Sequence, residues 1–344
     1  MTNPTIKDIA NICGVSVSTV SRAINDAEGI SPSTRTKILA TIKKVGFVPD
    51  SNARNLKINK NKTIAVLIKG ITNPFFTPMI KVIEEEISKT DYAFVLNKVE
   101  EHLSEFDVAK RVAKILKPEG IIFLGGHFVS DSEQLDSLDT PYSMTTIVNK
   151  DIINRNAACV GIDDFKESAR MVDYLISLGH RKIAFIAARA DDLSIGHLRM
   201  EGYKKALADH GIDFDEKLVV YPPKGLNPYS LSHGYEAGKK IVKDELGCTA
   251  IFAISDLVAI GAIKALADMG KSVPEDISVA GFDGLEINEF LLKPITTMAQ
   301  PTDKIAHTSV KELFKIINKR KFKEVTSFDA DLFIGETTAE IRKV

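Results

Sequence analysis

The sequence has few cysteines and no long apolar run, and each absence excludes a class of protein. Its three cysteines, in 344 residues, stand far apart without a CxxC pair, which indicates a reducing compartment rather than a disulfide framework. No apolar run approaches the length of a transmembrane helix, so we expect no membrane partner. The first residues contain no basic stretch followed by an apolar run, so no signal peptide is predicted and we expect a cytoplasmic protein.

No pattern of catalytic or metal-binding residues stands out either. The sequence contains no GxSxG, no P-loop, no HExxH and no GxGxxG after a strand, which are common marks of enzymes. Its seven histidines have no histidine three or four residues away, so a metal site is not predicted. We therefore expect a protein that is not an enzyme and needs no cofactor.

Positive charge is concentrated at the amino-terminal end. Residues 1–62 hold ten Lys and Arg against four Asp and Glu, a net charge of +6. The whole chain carries a formal charge of −1, so the remainder carries −7. A basic head on an acidic body indicates that one end binds an anionic polymer. A merely solvated basic surface is the plainer alternative.

Two short amphipathic patterns lie within residues 5–25, TIKDIANICGVSVSTVSRAIN. In the first, Thr5 is a good N-cap, apolar residues recur at helical spacing, and Gly14 stands where a left-handed residue would end the helix. Ser16 then caps a second helix. The positions of this second helix that face the first are apolar: Val20, Ala23 and Ile24.

The opposite side of the second helix carries short side chains and one arginine: Val17, Ser18, Ser21 and Arg22. The major groove of DNA admits a helix with such a surface, because hydroxyls can bind phosphates while other side chains reach base edges. The alternative is a small helical hairpin with a polar outer face.

A third helix and a weaker segment follow. Ser31 caps the third helix, and its predicted apolar stripe consists of Ile38, Leu39, Ile42 and Val45. Residues 50–57 then predict a helix of about two turns, which is marginal alone in water. Its few apolar residues are Ala53 and Leu56. The segment is either a plain linker or a helix that folds on DNA with Leu56 wedged into the minor groove.

The stretches TIKDIANICGVSVSTVSRAIN, ISPSTRTKI and VPDSNARNL resemble the amino terminus of the lactose/galactose-repressor family of bacterial transcription regulators. The resemblance implies a three-helix helix-turn-helix head, followed by a hinge helix over residues 50–57. It implies contacts to operator bases from Ser16, Val17, Ser18 and Arg22. It implies phosphate contacts from Thr5, Thr19, Ser21, Asn25, Ser31 and Thr34. It also places Ala53 and Leu56 of the hinge helix on DNA.

The body alternates apolar runs with helical patterns. The runs include TIAVLI (63–68), GIIFLG (120–125), TAIFAI (249–254) and ISVAGFD (277–283). This alternation predicts parallel sheets covered by helices on both faces. The runs form two series, which predicts two doubly wound α/β subdomains around a cleft. Ligands in such sheets bind at the carboxyl ends of the strands.

The residues just after the runs are therefore the candidate ligand contacts. After the first run come Asn73, Phe75 and Phe76. One of these two rings is expected to pack against the next helix instead. Arg199 lies at a helix start after KIAFIA, and Asp283 ends ISVAGFD. A guanidinium fork and a carboxylate both suit sugar hydroxyls. Ser255 and Asp256 follow TAIFAI, where capping of the next helix is a sufficient explanation.

The body resembles the same family. NPFF, RMEGY, SDLVAIGAIKALADMGKSVPEDISVAGFDG and PITTMAQP stand in the family's order and spacing. The implied fold is a periplasmic-binding-protein-like (type I) core with an effector site between its subdomains. The implied effector contacts are Phe75 or Phe76, Arg199, Tyr229, Ser255 or Asp256, and Asp283, and Asn73 remains a candidate from its place after the first run. An aromatic platform with Arg and Asp suits a saccharide.

The predicted domains are a helix-turn-helix head over 1–49, a hinge helix and linker over 50–61, an N-subdomain over 62–160 plus 293–325, and a C-subdomain over 161–292 plus 326–344. The predicted function is repression of transcription by a homodimer on a near-palindromic operator, switched by a sugar or sugar derivative. The first alternative is a global catabolite regulator with a phosphorylated carrier protein as corepressor. More remote alternatives are an exported sugar-binding protein and an enzyme.

Overall fold

The structure is a computed structural model that describes residues 5–24, 29–45, 62–126, 138–148, 156–192 and 194–341. The chain divides into two compact units, Met1–Asn61 and Lys62–Val344, which we call the head and the body. Three predicted DNA contacts lie outside the described residues, namely Asn25, Ala53 and Leu56. The whole predicted hinge helix lies outside them as well. No described helix is both long and apolar enough to cross a membrane.

The head contains three helices, α1 (Ile6–Cys13), α2 (Val17–Ile24) and α3 (Pro32–Val45). The Thr5 side chain accepts from the backbone N–H of Asp8, and the Asp8 carboxylate accepts from the N–H of Thr5. Gly14 ends α1 with φ 68°, a left-handed conformation that favours glycine. Lys37 Nζ donates to the carbonyl of Cys13 at 3.2 Å. The predicted cap and end of the first helix are confirmed.

All three helices contribute to the core of the head, which comprises Ile9, Ala10, Cys13, Val20, Ala23 and Ile38. The apolar stripe predicted for α3 is only partly buried, since Leu39 is 46% and Val45 37% exposed. Leu39 lies about 100° around the helix from Ile38 and so leaves the packed face. Val17, predicted to face away from α1, packs partly against this core. Ser18 and Arg22 are exposed as predicted.

The first sheet of the body contains β1 (Thr63–Lys69), β2 (Ala93–Val99), β3 (Gly120–Leu124), β4 (Tyr142–Thr145), β5 (Ala157–Ile162) and β11 (Val325–Phe328). Its strands are parallel, in the order β11-β5-β4-β3-β1-β2. The helices beside it are α4 (Phe76–Ser88), α5 (Glu105–Leu116) and α10 (Thr302–Ile317). Alternate residues of β1 pack on opposite faces, Val66 with the cluster that includes α4 and Leu67 with the cluster that includes α5.

The second sheet contains β6 (Ile183–Ile186), β7 (Val219–Val220), β8 (Ala250–Ala253), β9 (Ser278–Asp283), β10 (Thr296–Ala299) and β12 (Asp331–Phe333). Its order is β12-β10-β9-β8-β6-β7, and β12 is antiparallel to β10. The helices of this half are α6 (Asp164–Ser177), α7 (Ile195–Asp209), α8 (Leu231–Lys243) and α9 (Asp256–Asp268). Short 3-10 helices span Glu216–Leu218 and Glu286–Phe290. The predicted architecture of two doubly wound units is confirmed.

The chain crosses between the two sheets three times, and we call the two halves the first and second subdomains. The crossings follow β5, β10 and β11. The predicted boundary at residue 293 is wrong, because β10 pairs with β9 and β12 in the second sheet. The boundaries at 160 and 325 also differ, since β5 continues to Ile162 and β11 to Phe328 within the first sheet.

Candidate functional site

Two clusters of hydroxyls stand at helix starts in the head. Ser16 Oγ accepts from the backbone N–H of Thr19 at 3.1 Å and lies 2.7 Å from Ser18 Oγ. Ser31 repeats the arrangement at the start of α3, accepting from the N–H of Thr34 at 3.2 Å. These hydroxyls cap their helices, and a helix start that carries hydroxyls and backbone N–H groups suits a phosphate oxygen.

The other described residues predicted to touch DNA lie on the surface of the head to different degrees. Thr5 is exposed, and Ser21 is half-buried. Arg22 lies in the last turn of α2 and is exposed. Arg22 therefore presents a fork of N–H donors to solvent, the group that most often reads guanine in the major groove.

A cavity of about 360 Å³ lies between the two subdomains of the body, within the usual size range of small-molecule sites. Both subdomains line it. Six of the eight predicted effector contacts are among the lining residues: Asn73, Phe75, Phe76, Arg199, Tyr229 and Asp283. Both phenylalanine rings line it, although only one was expected to. The structure thus brings together residues that lie up to about 200 positions apart in the sequence.

Asp283 ends β9 at the wall of the cavity. Its φ of 110° is unusual for a residue other than glycine, and such backbone strain often marks a functional position. Its Oδ1 accepts from Gln300 Nε2 at 2.9 Å and from Arg199 Nη2 at 3.3 Å. Burial raises the pKa of Asp283 to about 6, against the opposing effect of Arg199. Within the described residues these hydrogen bonds use Oδ1, which leaves Oδ2 as an acceptor for a ligand hydroxyl.

Arg199 is buried behind Asp283. Its Nε donates to Asp164 Oδ1 at 2.8 Å and its Nη1 donates to the carbonyl of Ile254 at 2.6 Å. The guanidinium carbon lies 3.7 Å from the centre of the Phe282 ring, a cation–π contact. Three of its five N–H groups are thus committed to the protein, which fixes its orientation.

Aromatic side chains supply the apolar walls of the cavity. Phe75 and Phe76 meet edge to face with ring centres 5.3 Å apart, and both are nearly buried. Tyr229 OH donates to Asp192 Oδ2 over 3.5 Å. Burial and then Asp192 raise the pKa of Tyr229 well above its usual value. The phenol therefore stays protonated, and because its one proton is donated to Asp192, its oxygen can act as an acceptor near the cavity.

Contacts across the cleft mouth join the two subdomains. Glu101, which follows β2, accepts from Asn227 Nδ2 at 3.2 Å. Its other oxygen lies 3.7 Å from Arg189 Nη2. All three residues line the cavity. These partly exposed contacts are individually weak.

Ser255 and Asp256 were predicted to face the effector, and the structure differs on both. Neither lines the cavity, and both are buried. Asp256 Oδ2 instead accepts from the backbone N–H groups of Gly284 and Leu285 at 2.9 and 2.8 Å. Asp256 thus holds the turn that follows Asp283. Burial, and next the charge of Asp283, raise the pKa of Asp256 to about 7.

Asp256→Asn should stabilise the protein more at pH 8 than at pH 5. The pKa of Asp256 is about 7 in the folded state, against an unfolded value of 3.8. The stability that the protonated carboxyl group contributes is therefore fully present below pH 3.8 and is lost as the pH rises to 7. The asparagine oxygen can still accept both N–H groups. We expect a Tm gain of about 3 °C or more at pH 8 by calorimetry, from a difference on the order of 3 kcal/mol. The exposed Asp91→Asn serves as the control, and a gain equal at both pH values would refute this reading of Asp256.

Several polar residues that line or support the cavity were missed in the sequence. Gln300 and Thr146 directly follow β10 and β4, and Lys69 is the last residue of β1. The strand-end rule that found Asp283 could have found all three. Asp164 was missed because its partner Arg199 lies 35 residues away. Among the described residues, no group of three or more His, Cys, Asp or Glu could hold a metal ion.

Two family profiles match this chain. One, described as bacterial regulatory proteins of the lacI family, matches residues 5–50, and the other, a periplasmic binding protein-like domain, matches residues 172–338. The HTH-type transcriptional regulator MalR of Clostridium butyricum is 39% identical over 319 residues, which cover 91% of this chain and 92% of MalR. The chain belongs to the LacI family of transcriptional regulators. The family resemblance predicted from the sequence is confirmed, and as a LacI-family member the protein is a regulator and not an enzyme.

Solved structures of transcriptional regulators share this fold. The structure titled transcriptional regulator CelR–cellobiose complex has a TM-score of 0.69 and 26% identity, covering 97% of this chain and 99% of the CelR chain. The Lac repressor dimer bound to operator and the anti-inducer ONPF has a TM-score of 0.73 and 22% identity, covering 98% of this chain and 100% of the other. The second likeness concerns the fold alone.

Proposed function

We propose that this LacI-family protein is a repressor that binds a near-palindromic operator as a homodimer and responds to an uncharged sugar in the cleft of its body. The observation that carries the proposal is the cavity wall itself, which is lined by the Asp283 carboxylate, Tyr229 and the two rings of Phe75 and Phe76. We infer that the protein acts in the cytoplasm, where its operator would be.

The surface of the head supports the DNA-binding part of the proposal. The exposed Ser18 and Arg22 project from α2, and the hydroxyls of Ser16 and Ser31 stand at two helix starts. Base edges would be read by α2 in the major groove, while the helix starts would meet phosphates. Residues 1–62 carry a net charge of +6, which favours binding to the DNA backbone.

The charges around the cavity support an uncharged sugar over a sugar phosphate. Among the described lining residues, three cations face four carboxylates: Lys69, Arg189 and Arg199 against Glu101, Asp191, Asp192 and Asp283. Lys69 Nζ is already bound to Glu105 Oε1 at 3.0 Å and to the carbonyl of Leu103 at 3.0 Å. Arg199 is bound to two carboxylates. A phosphate needs uncommitted cations, whereas hydroxyls need mixed donors and acceptors on apolar walls.

An exposed apolar patch on the second subdomain supports a dimer. Phe290 is 77% exposed, and Leu292 and Ile334 are also exposed. Their two segments are joined by the hydrogen bond from Glu336 N to the carbonyl of Pro294 at 2.7 Å. Clustered exposed apolar residues of this kind commonly mark protein–protein interfaces.

Thermal shift of the full chain tests the sugar part of the proposal. The probes are ribose, glucose, maltose, cellobiose and glucose 6-phosphate at equal concentration. We expect at least one neutral sugar to raise Tm by about 2 °C or more, because a ligand that binds only the folded state stabilises it. Glucose 6-phosphate should give no shift. A shift with glucose 6-phosphate alone would refute the uncharged-sugar assignment, and a response only to a phosphorylated carrier protein would favour a catabolite regulator.

A further inference from the structure

Two of the three crossings between the subdomains are tied to one oxygen atom. Gln300, in the second crossing, donates from Nε2 to Asp283 Oδ1 at 2.9 Å. Arg199 donates from Nη2 to the same oxygen at 3.3 Å and from Nε to Asp164 Oδ1 at 2.8 Å. Asp164 is the first residue of α6, directly after the first crossing. Asp283 is therefore linked to the second crossing directly and to the first crossing through Arg199.

The carboxylate of Asp164 is not needed to cap its helix. The neighbouring Asp163 is the N-cap of α6, and its Oδ1 accepts from the N–H of Lys166 at 3.1 Å. Asp164 is buried, lies outside the cavity lining and pairs with Arg199. A buried ion pair is often no more stable than apolar residues of the same volume. Stability alone therefore does not account for this carboxylate.

We propose that Asp164 is a positioning residue for the effector response. Asp164 holds Arg199 in place, and through Arg199 it fixes Asp283 relative to the first crossing. A sugar that binds Oδ2 of Asp283 then changes the angle between the two subdomains through both crossings. This inference rests on the proposed function, because it requires a sugar in the cleft and DNA on the head.

The geometry around Arg199 suits the transmission of a small displacement. Its guanidinium is planar, lies on the Phe282 ring and donates to the carbonyl of Ile254 at 2.6 Å. A group held from three sides passes a displacement on instead of absorbing it, as packed interiors generally do. Asp164 and Asp283 also share this one guanidinium. A ligand that draws on Asp283 therefore changes how strongly Arg199 holds Asp164.

Asp164→Asn tests the proposal, with Asp163→Asn as the matched control. Both substitutions remove one negative charge from neighbouring positions, and asparagine is also a good N-cap. The readout is operator affinity of the full chain by fluorescence anisotropy, without sugar and at saturation with the panel sugar that gives the largest thermal shift. The coupling is measured by the ratio of the larger to the smaller of the two operator dissociation constants. At saturation this ratio does not depend on how tightly the sugar binds. A residue with a merely structural role would change Tm and leave this ratio unchanged.

We expect Asp164→Asn to bring the ratio below about one third of the wild-type value, since coupling free energies are commonly only a few kcal/mol. Asp163→Asn should keep the wild-type ratio, and operator affinity without sugar should be unchanged in both. A wild-type ratio in Asp164→Asn overturns the inference alone. If the wild type itself shows no sugar response, the proposed function fails and the inference with it. If Asp164→Asn does not fold, the test is Gln300→Met, which removes the hydrogen bond between Asp283 and the second crossing. This variant must lower the ratio, and a wild-type ratio would overturn the inference.

Discussion

Asp283→Asn is expected to weaken sugar binding by about 100-fold or more. A carboxylate that accepts hydroxyl hydrogen bonds in a buried site contributes on the order of 1.5–3 kcal/mol per bond, and Oδ2 can accept two. Asparagine keeps an acceptor for Gln300 Nε2 and tolerates the positive φ of 110° at this position. Arg199 keeps Asp164 as its counter-ion. Isothermal titration with the panel sugar measures the loss.

Glu101→Gln is the matched control for this substitution. It also removes one carboxylate from the cavity lining, but from the exposed mouth, where Glu101 meets Asn227 and Arg189. Water screens that position, so we expect a loss of less than about 10-fold. The assignment of Asp283 as the main hydroxyl acceptor fails if both variants lose affinity equally, or if Asp283→Asn binds sugar as the wild type does.

Arg22→Ala is expected to lower operator affinity by roughly 10- to 100-fold, because a bidentate arginine–guanine contact discriminates by about 1–3 kcal/mol. Arg22 is exposed in the last turn of α2, so its removal should leave the head folded. Affinity for random duplex should fall less than affinity for operator, because a base contact is lost in addition to charge. Anisotropy titrations with operator and random duplex at one salt concentration give both values.

Arg111→Ala supplies the charge-matched comparison. Arg111 is exposed on α5 of the body, so its removal changes net charge equally without touching the head. We expect operator affinity within about twofold of wild type, the size of a weak long-range charge effect. Equal losses in the two variants would mean that α2 does not read bases through Arg22.

The sequence predicted most of the fold because the signals were local. Thr5 and Gly14 mark the ends of α1 through capping and a left-handed conformation, which depend on the adjacent backbone. Continuous apolar runs marked strands such as β1, which is buried on both faces. The boundary at residue 293 was misplaced because it depends on which sheet β10 joins. Strand pairing is a tertiary choice that β10 itself does not encode.

The candidate site was only partly predictable for the same reason. The strand-end rule placed both Asp283 and Asp256 near the cleft, since Asp283 ends β9 and Asp256 lies three residues after the end of β8. Only the structure separates them, because Asp256 turns inward to two backbone N–H groups while Asp283 borders the cavity. Asp164 was not predicted as a site residue. Its role with Arg199 depends on the packing of α6 against α7, which no local pattern reports.

The most direct test of the whole account measures operator binding by the full chain with and without the sugar that raises its Tm. The account predicts that this sugar changes the operator dissociation constant of the wild type by at least about tenfold, within the usual range of allosteric coupling. It also predicts no change for Asp283→Asn at the same sugar concentration. An operator dissociation constant that is identical with and without a sugar known to occupy the cleft would contradict it.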